Sequence, residues 1–122
     1  MKLNKILRAK IHHARVTYKN AEYVGSLELC LDVMRKVGLQ NGEAVEVWNV
    51  ENGERFETYV FEGDFGVVGV NGAAAKKVNV GDRLIIAAFT WTDETKNPLP
   101  QVVLLDEYNR VIRKLHPFSK NG

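Results

Sequence analysis

The chain has 122 residues, of which 45% are hydrophobic, 17 are basic and 15 are acidic, and its formal net charge is +2. This length suits one compact domain and is too short for two independent cores, so we expect a single domain over residues 1–122. The balanced charges create no strong positive field, and we therefore expect no nucleic-acid or membrane partner.

Three further features of the sequence argue against a disulfide, a signal peptide, a membrane span and a metal site. Cys30 is the only cysteine, which excludes an internal disulfide and fits a reducing compartment. Residues 1–15 carry seven basic or histidine side chains and no unbroken apolar stretch, so they form neither a signal peptide nor a membrane span. His12 and His13 are predicted to lie on opposite faces of a strand, and with His116 they fit no metal-ligand spacing. We expect a cytoplasmic protein without a metal.

The chain begins with a predicted long strand over residues 6–18, which are rich in β-branched and aromatic types. The side-chain period of two places Lys10 and His12 on one face of this strand. A turn at residues 19–21 then leads into a second, short strand that contains residues 23–26.

A short helix is predicted next, because apolar residues recur at helical spacing. These residues are Leu29, Val33, Met34 and Val37. Asp32 is the candidate N-terminal cap of the helix, and Gly38 is the candidate C-terminal stop.

Asn52-Gly53 is the strongest hairpin signal, since Asn-Gly accepts the positive φ angles of a type I′ turn between residues 45–50 and 56–61. Alternation along the second of these strands turns Thr58 away from a face that carries Arg55, Glu57 and Tyr59.

Further short elements follow the hairpin. Residues 67–70 form an apolar strand, and residues 71–75 form a turn into a brief helical segment. A Gly81-Asp82 turn then leads into a strand that ends at Phe89. This strand is too hydrophobic to face water, so it is expected to cross the core.

The end of the chain and the overall pattern suggest the fold class. Pro98 and Pro100 break the chain before a last strand over residues 101–105, and residues 118–122 have the composition of a frayed end. Many short strands with little helix favour a mainly β protein whose sheet closes fully or partly into a barrel, because closure removes exposed edges. The order of the strands does not follow from this pattern.

Three groups of residues stand out from this framework. They are Tyr23-Val24-Gly25-Ser26, the run Asn71-Gly72-Ala73-Ala74-Ala75, and the hairpin residues Trp48, Arg55, Thr58 and Tyr59. Together they resemble the pyruvoyl-dependent aspartate 1-decarboxylases, over most of the chain from about Lys5 to Phe89, with departures mainly at residues 63–66 and near Pro98. The resemblance implies a six-stranded double-psi β-barrel with short helices, assembled as a homotetramer with active sites between neighbouring subunits.

Decarboxylation of an amino acid leaves a carbanion at Cα, and protein side chains offer no electrophile that delocalises it. The resemblance implies that Ser26 attacks the Gly25 carbonyl, that the resulting ester eliminates to dehydroalanine, and that hydrolysis leaves a covalent pyruvoyl group at Ser26. Gly25 suits this step because a residue without Cβ accepts strained backbone angles. The implied products are a β chain of residues 1–25 and an α chain of residues 26–122. Without the other matches, Gly-Ser would indicate only a surface serine.

The resemblance also implies individual roles in the site. Thr58 matches the family threonine that assists the backbone rearrangement, and Tyr59 matches the residue that returns a proton to Cα. Arg55 is the candidate for holding a substrate carboxylate, because its planar fork donates paired hydrogen bonds, and Lys10 is the candidate second cation. Thr58 can share a site with these residues only if the strand bulges or the site lies between subunits.

Two sets of residues complete the expected substrate site. Its walls are expected to include His12, Tyr23 and Trp48. Small residues let backbone amides approach a ligand, and the start of a helical turn offers unpaired N–H groups to an anion. The residues that match this second role are Asn71, Gly72, Ala73 and Ala74.

The predicted reaction converts L-aspartate into β-alanine and carbon dioxide through a Schiff base with the pyruvoyl group, for the synthesis of pantothenate and coenzyme A. An accessory maturation protein is left open as a further partner. The alternatives are a non-enzymatic small β-barrel that acts as a binding module, and a pyruvoyl decarboxylase for another acidic amino acid.

Overall fold

The structure is a computed structural model that describes residues 1–94 and 99–118. Within these ranges the protein is mainly β, as predicted, with nine strands, one α-helix and one short 3-10 helix. In chain order the elements are β1 (Asn4–Arg15), β2 (Tyr18–Asn20), β3 (Ser26–Cys30), α1 (Leu31–Val37), β4 (Ala44–Asn49), β5 (Arg55–Gly63), β6 (Val68–Asn71), the 3-10 helix (Gly72–Lys77), β7 (Arg83–Thr92), β8 (Gln101–Leu105) and β9 (Val111–Lys114).

The strands form one sheet in the order β2-β6-β3-β5-β4-β7-β1-β8-β9. Strand β1 pairs with β7 and β8 near one end of this order, whereas β2 pairs with β6 at the other end. Only Val16 and Thr17 separate β1 from β2, and their N–H groups donate to the carbonyls of Asp82 at 2.9 Å and Val68 at 2.8 Å. Because one stretch of chain borders both β7 and β6, the sheet must curl until its two sides meet along that stretch.

Alternation along the strands sends one set of side chains into the core of the curled sheet. On β5, for example, Val60 is fully buried and the adjacent Tyr59 is exposed. The largest fully buried side chains include Ile11, Leu27, Leu29, Leu84 and Ile86. The opposite side of the sheet, which carries Tyr59, is called the outer face below.

The first strand differs from the expected one in its regularity. Its register against β7 shifts between Leu7 and Ala9 and again between His12 and Ala14. His13 lies in the second bulge with a φ of 67°. The prediction that His12 and His13 lie on opposite faces is wrong, because the bulge interrupts the period of two and the two rings stack with centroids 4.0 Å apart.

The predicted second strand and helix are both displaced along the chain. Strand β3 begins only at Ser26, so residues 23–25 lie in the loop before it, and Leu29 belongs to β3 rather than to the helix. Leu27 and Leu29 are both fully buried, a period of two that suits a strand. Helix α1 has Cys30 at its N-cap, not Asp32, whereas the expected stop at Gly38 is confirmed by a left-handed φ of 77°.

The β4–β5 hairpin is confirmed, but its turn is not the expected type I′. The N–H of Asn49 donates to the carbonyl of Glu54 at 2.8 Å, so residues 50–54 form a longer loop. Asn49 and Asn52 accept hydrogen bonds through their side chains from the N–H groups of Glu51 and Glu54. These local bonds satisfy the backbone of a loop that is too long for a two-residue turn.

The remaining elements agree with the sequence pattern, with some additions. The expected strand, helical segment and core-crossing strand correspond to β6, the 3-10 helix and β7, and β8 spans the predicted residues 101–105. The implied count of six strands is not confirmed, since nine are present in the described ranges. Pro98 and residues 119–122 lie outside those ranges. Among the described residues, no helix is both long and apolar enough to cross a membrane.

Replacement of Ile11 by alanine tests the position of the core. Ile11 has no exposed surface, so Ile11→Ala is expected to lower the free energy of unfolding by about 2–5 kcal/mol through lost burial and the resulting cavity. Denaturant unfolding followed by circular dichroism measures this loss. Ile112→Ala on the exposed β9 is the matched control, with an expected change below about 0.5 kcal/mol. Equal losses in the two variants would contradict the assignment.

Candidate active site

The peptide between Gly25 and Ser26 has the most unusual backbone of the predicted site residues. Gly25 has a φ of 36° and Ser26 a φ of 101°. Positive φ is rare for a residue with a Cβ, and its cost is sustained only where the surrounding structure imposes it. Ser26 is only 4% exposed as the first residue of β3, whereas Val24, two residues earlier, is 85% exposed. The strain is therefore located where a surface loop enters the sheet.

Asn71 and Gly72 pack directly against this junction. In the antiparallel β3–β6 pair, Asn71 lies opposite Ser26. Gly72 has a φ of 68°, and a Cβ on it would stand 3.0 Å from Gly25 Cα and 3.2 Å from Gly25 N. Any larger residue at position 72 would push the Gly25 backbone away, so a glycine is required for this close approach.

The carboxamide of Asn71 is buried and only half satisfied. Asn71 is 2% exposed, and its Nδ2 donates to the hydroxyl of Tyr18 at 3.3 Å. Its Oδ1 is buried and has no hydrogen-bond partner among the described residues. A buried acceptor without a partner is costly, and this one belongs to the residue opposite Ser26.

Tyr59 approaches the junction from the other neighbouring strand. Strands β3 and β5 run parallel with Leu27 opposite Val60, and continuing this register backward places Tyr59 level with Ser26. A Cβ built on Gly25 would stand 3.7 Å from the Tyr59 hydroxyl. Thr58 lies on the opposite face of β5 from Tyr59, as alternation predicts, at the level of Gly25.

The other predicted side chains form a second group on the outer face. His12, Ile85, Trp48 and Arg55 occupy one row across β1, β7, β4 and β5, as their pairwise registers show. The Arg55 guanidinium lies over the Trp48 ring, 4.6 Å from its centroid. Lys10 shares the face of His12 two residues earlier on β1.

Within one chain these two groups are not brought together. Lys10 and Ser26 lie on strands that do not pair with each other: β5, β4 and β7 separate them in one direction around the curled sheet, and β6 with the β1–β2 connection in the other. Arg55 lies four residues before Tyr59 along β5, which is about 13 Å. Tyr23 belongs to the loop beside the junction, where its ring stacks on Phe61 with centroids 6.5 Å apart.

The two alanines that follow Gly72 have different environments. Ala73 is exposed, whereas Ala74 packs against the hydrophobic core. Both lie in the first turn of the 3-10 helix, next to the Asn71-Gly72 backbone that contacts the junction.

His12 is held as a neutral imidazole. Burial lowers its pKa to about 4, with further lowering by the nearby charges of His13, Lys10 and Arg83. The ring therefore carries no charge near pH 7, and its buried Nδ1 has no hydrogen-bond partner in the described ranges. His12 can thus form a polar wall without adding a third cation to Lys10 and Arg55.

Two residues near the junction were missed by the sequence analysis. The Tyr18 hydroxyl donates to Glu28 Oε1 while it accepts from Asn71. Burial, and then the hydrogen bond to Glu28, raise the pKa of Tyr18, so its hydroxyl keeps its proton. Tyr18 looked like an ordinary end of the first strand, and no motif in the sequence links it to Glu28.

Comparison with known proteins shows which family this chain is related to. A family model described as aspartate decarboxylase matches residues 1–112. The aspartate 1-decarboxylase of Caldicellulosiruptor bescii is 43% identical over 112 residues, which cover 88% of each chain. That of Shouchella clausii is 45% identical over 114 residues, which cover 90% of each chain. The rationally designed protein mkDPBB_sym_86 aligns with 67% of this chain and 91% of its own at 25% identity, but the TM-score of 0.46 is too low to support a fold argument.

The charge state of His12 is open to direct measurement. We expect its ring signals in an NMR titration to show a midpoint at about 4, below the ordinary value of 6.5, because burial disfavours the charged form. In a His13→Asn variant the midpoint should rise, since one of the groups that lowers it is removed. A midpoint at or above 6.5 in the unaltered protein would show that His12 carries charge in the site.

Proposed function

Because the chain belongs to the aspartate decarboxylase family, we propose that it is an aspartate 1-decarboxylase that makes its own pyruvoyl group at Ser26. The reaction converts L-aspartate into β-alanine and carbon dioxide, and the β-alanine serves the synthesis of pantothenate and coenzyme A. The observation that carries this proposal is the positive φ of Ser26, next to a glycine whose backbone is enclosed by Gly72.

Maturation would begin at the strained peptide. The Ser26 hydroxyl attacks the Gly25 carbonyl carbon, the Gly25–Ser26 C–N bond breaks, and the hydroxyl proton passes to the released nitrogen. Loss of the Ser26 Cα proton then expels Gly25 as a carboxylate and leaves dehydroalanine, which water converts to the pyruvoyl group with release of ammonia. The single domain of residues 1–122 would thus become a β chain, 1–25, and an α chain, 26–122.

Neighbouring groups suit the first of these steps. Strain in the ground state that is relieved on rearrangement lowers the barrier, and both Gly25 and Ser26 have positive φ. Thr58, level with Gly25 on the adjacent strand, is the proposed donor to the oxyanion of the tetrahedral intermediate. Asn71, opposite Ser26 with a free acceptor oxygen, is the proposed partner of the attacking hydroxyl.

In the mature enzyme, the pyruvoyl group supplies the electrophilic carbonyl that takes up the electron pair left behind by carbon dioxide. Arg55 and Lys10 are proposed to hold the two substrate carboxylates. Tyr59 is the proposed donor that returns a proton to the substrate Cα, a role supported by its position beside the junction and its exposure of 44%. His12, Tyr23 and Trp48 would form the walls, and the small residues from Gly72 to Ala74 would let backbone amides approach the substrate.

A six-stranded double-psi β-barrel is the proposed form of the curled sheet. If β1 and β2 are counted as one strand, the ring β1/β2-β6-β3-β5-β4-β7 has six members, with β8 and β9 outside it. Counting β1 and β2 as one strand is supported by the two-residue connection between them. Because of this short connection, the continuous segment β1–β2 pairs with both β7 and β6.

A homotetramer with active sites between subunits is the proposed assembly. It is supported by the position of Arg55, which lies about 13 Å along β5 from Tyr59 beside the junction, because a second copy can bring the cationic group of one chain to the junction of another. The expected cytoplasmic location remains a prediction, and an accessory maturation protein is still left open as a further partner.

The two alternatives predict different products. A non-enzymatic binding module would keep an intact chain, and nothing in that function requires a serine with positive φ. A pyruvoyl decarboxylase for another acidic amino acid would cleave itself in the same way, so only the choice of substrate separates it from the proposed enzyme.

Replacement of Ser26 by alanine tests self-cleavage. We expect intact-mass spectrometry of the purified protein to show fragments of residues 1–25 and 26–122, and to show one intact chain for Ser26→Ala, which lacks the attacking hydroxyl. Ser119→Ala, near the C-terminus, is the matched control and should be cleaved like the unaltered protein. Cleavage of Ser26→Ala between residues 25 and 26 would refute the proposal, and an intact unaltered chain would refute cleavage by the chain alone.

Tyr59→Phe tests the catalytic role apart from maturation. The variant should still be cleaved at Gly25–Ser26, but kcat with L-aspartate should fall by about 10²–10⁴-fold because the proton donor is lost. Chromatographic analysis of products from L-aspartate and L-glutamate measures both the loss and the substrate choice. Faster turnover of glutamate by the unaltered enzyme would favour the alternative decarboxylase, and an unchanged kcat would remove Tyr59 from the mechanism.

A further inference from the structure

Tyr18, Gly69 and Glu28 form a row across three strands beside the junction. In the registers of β2, β6 and β3, Tyr18 lies opposite Gly69 and Gly69 lies opposite Glu28. Two residues further along β6, the next row on the same face contains Asn71, with Ser26 opposite it on β3. Residues two apart on a strand share a face, so Tyr18 and Glu28 lie on the same side of the sheet as the junction residues.

Two glycines make room for this row. A Cβ on Gly69 would collide with the Tyr18 ring, and a Cβ on Gly63 would collide with the Glu28 carboxylate. The absence of side chains at these positions lets the tyrosine cross β6 and reach Glu28. The arrangement therefore depends on four neighbouring strands, β2, β6, β3 and β5, not on a chance contact between two surface side chains.

The hydrogen bonds in this group have a fixed direction. A carboxylate only accepts, so the single hydroxyl proton of Tyr18 is donated to Glu28. The Tyr18 oxygen is then left as an acceptor, and the Asn71 carboxamide must present its Nδ2 donor to it. This leaves Asn71 Oδ1 as the free, buried acceptor in the row that contains Ser26.

We propose that Tyr18 and Glu28 are positioning residues for self-cleavage, which fix the Asn71 carboxamide so that Oδ1 accepts the hydrogen bond of the Ser26 hydroxyl. This bond directs an oxygen lone pair toward the Gly25 carbonyl carbon. A reversed carboxamide would present Nδ2 instead, which cannot accept that proton. The inference rests on the proposed self-cleavage and adds two residues to it.

Two variants test whether the direction of these hydrogen bonds, rather than the packing of the side chains, affects the rate of self-cleavage. Tyr18→Phe keeps the ring but removes the acceptor for Asn71 Nδ2. Glu28→Gln keeps the size of the side chain but allows its amide to donate to Tyr18, whose proton is then free for Asn71 Oδ1. The time course of fragment formation, followed by intact mass on freshly purified chain, should slow by about tenfold in each variant.

Matched controls remove a similar group elsewhere. Tyr108→Phe removes the hydroxyl of an exposed tyrosine, and Glu62→Gln changes an exposed carboxylate that accepts from Asn41. Neither residue contacts the junction, so both controls should be cleaved at the unaltered rate. Slowing of the controls by the same factor would assign the effect to general stability and would overturn the proposal.

The side-chain amide signals of Asn71 provide a second readout, recorded by NMR in the uncleavable Ser26→Ala chain. We expect Tyr18→Phe and Glu28→Gln, each added to Ser26→Ala, to shift or broaden these signals while the backbone signals of β3 and β6 stay in place. Slower cleavage with unchanged Asn71 signals would point to a structural effect, and cleavage at the unaltered rate would exclude a positioning role. If the unaltered chain is never cleaved, self-cleavage itself fails, an outcome distinct from both.

Discussion

The backbone at Gly25–Ser26 is the constraint on which the rest of the site depends. Ser26 has a φ of 101° although it carries a Cβ, and it begins β3, whose next residue is fully buried. Pairing with Asn71 on β6 holds Ser26 on one side, the adjacent Leu27 pairs with Val60 on β5, and the Gly72 backbone lies close against Gly25. The sheet thus sustains a backbone conformation that a free peptide would leave, because the surrounding structure imposes it.

The outer face of the sheet carries two separate groups of predicted site residues. The strained junction, Tyr59 and Asn71 lie at one place on this face, and the Lys10, His12 and Trp48 side chains lie on strands that do not pair with β3. Within one chain the cationic and aromatic side chains thus form a group apart from the Gly25–Ser26 junction. This separation is the physical reason for proposing that neighbouring copies complete each site.

Much of the fold follows from local patterns, whereas the site depends on long-range contacts. Alternating apolar residues located β4, β5, β6, β7 and β8, and Gly38 located the end of α1. The stacked pair His12–His13 could not be foreseen, because a β-bulge depends on the partner strand and leaves no mark in the period of two. The same is true of the Tyr18–Glu28 bond, which exists because Gly69 on a third strand leaves space for it.

The most direct test for a pyruvoyl group is the reaction of the purified protein with hydroxylamine, which forms an oxime with a ketone, followed by mass analysis of the fragments. A pyruvoyl group derived from Ser26 predicts one oxime adduct, located at the first position of the fragment that begins at residue 26, and no adduct in Ser26→Ala. An unmodified serine at that end, or an adduct that persists in the variant, would contradict the claim that a reactive ketone is formed from Ser26.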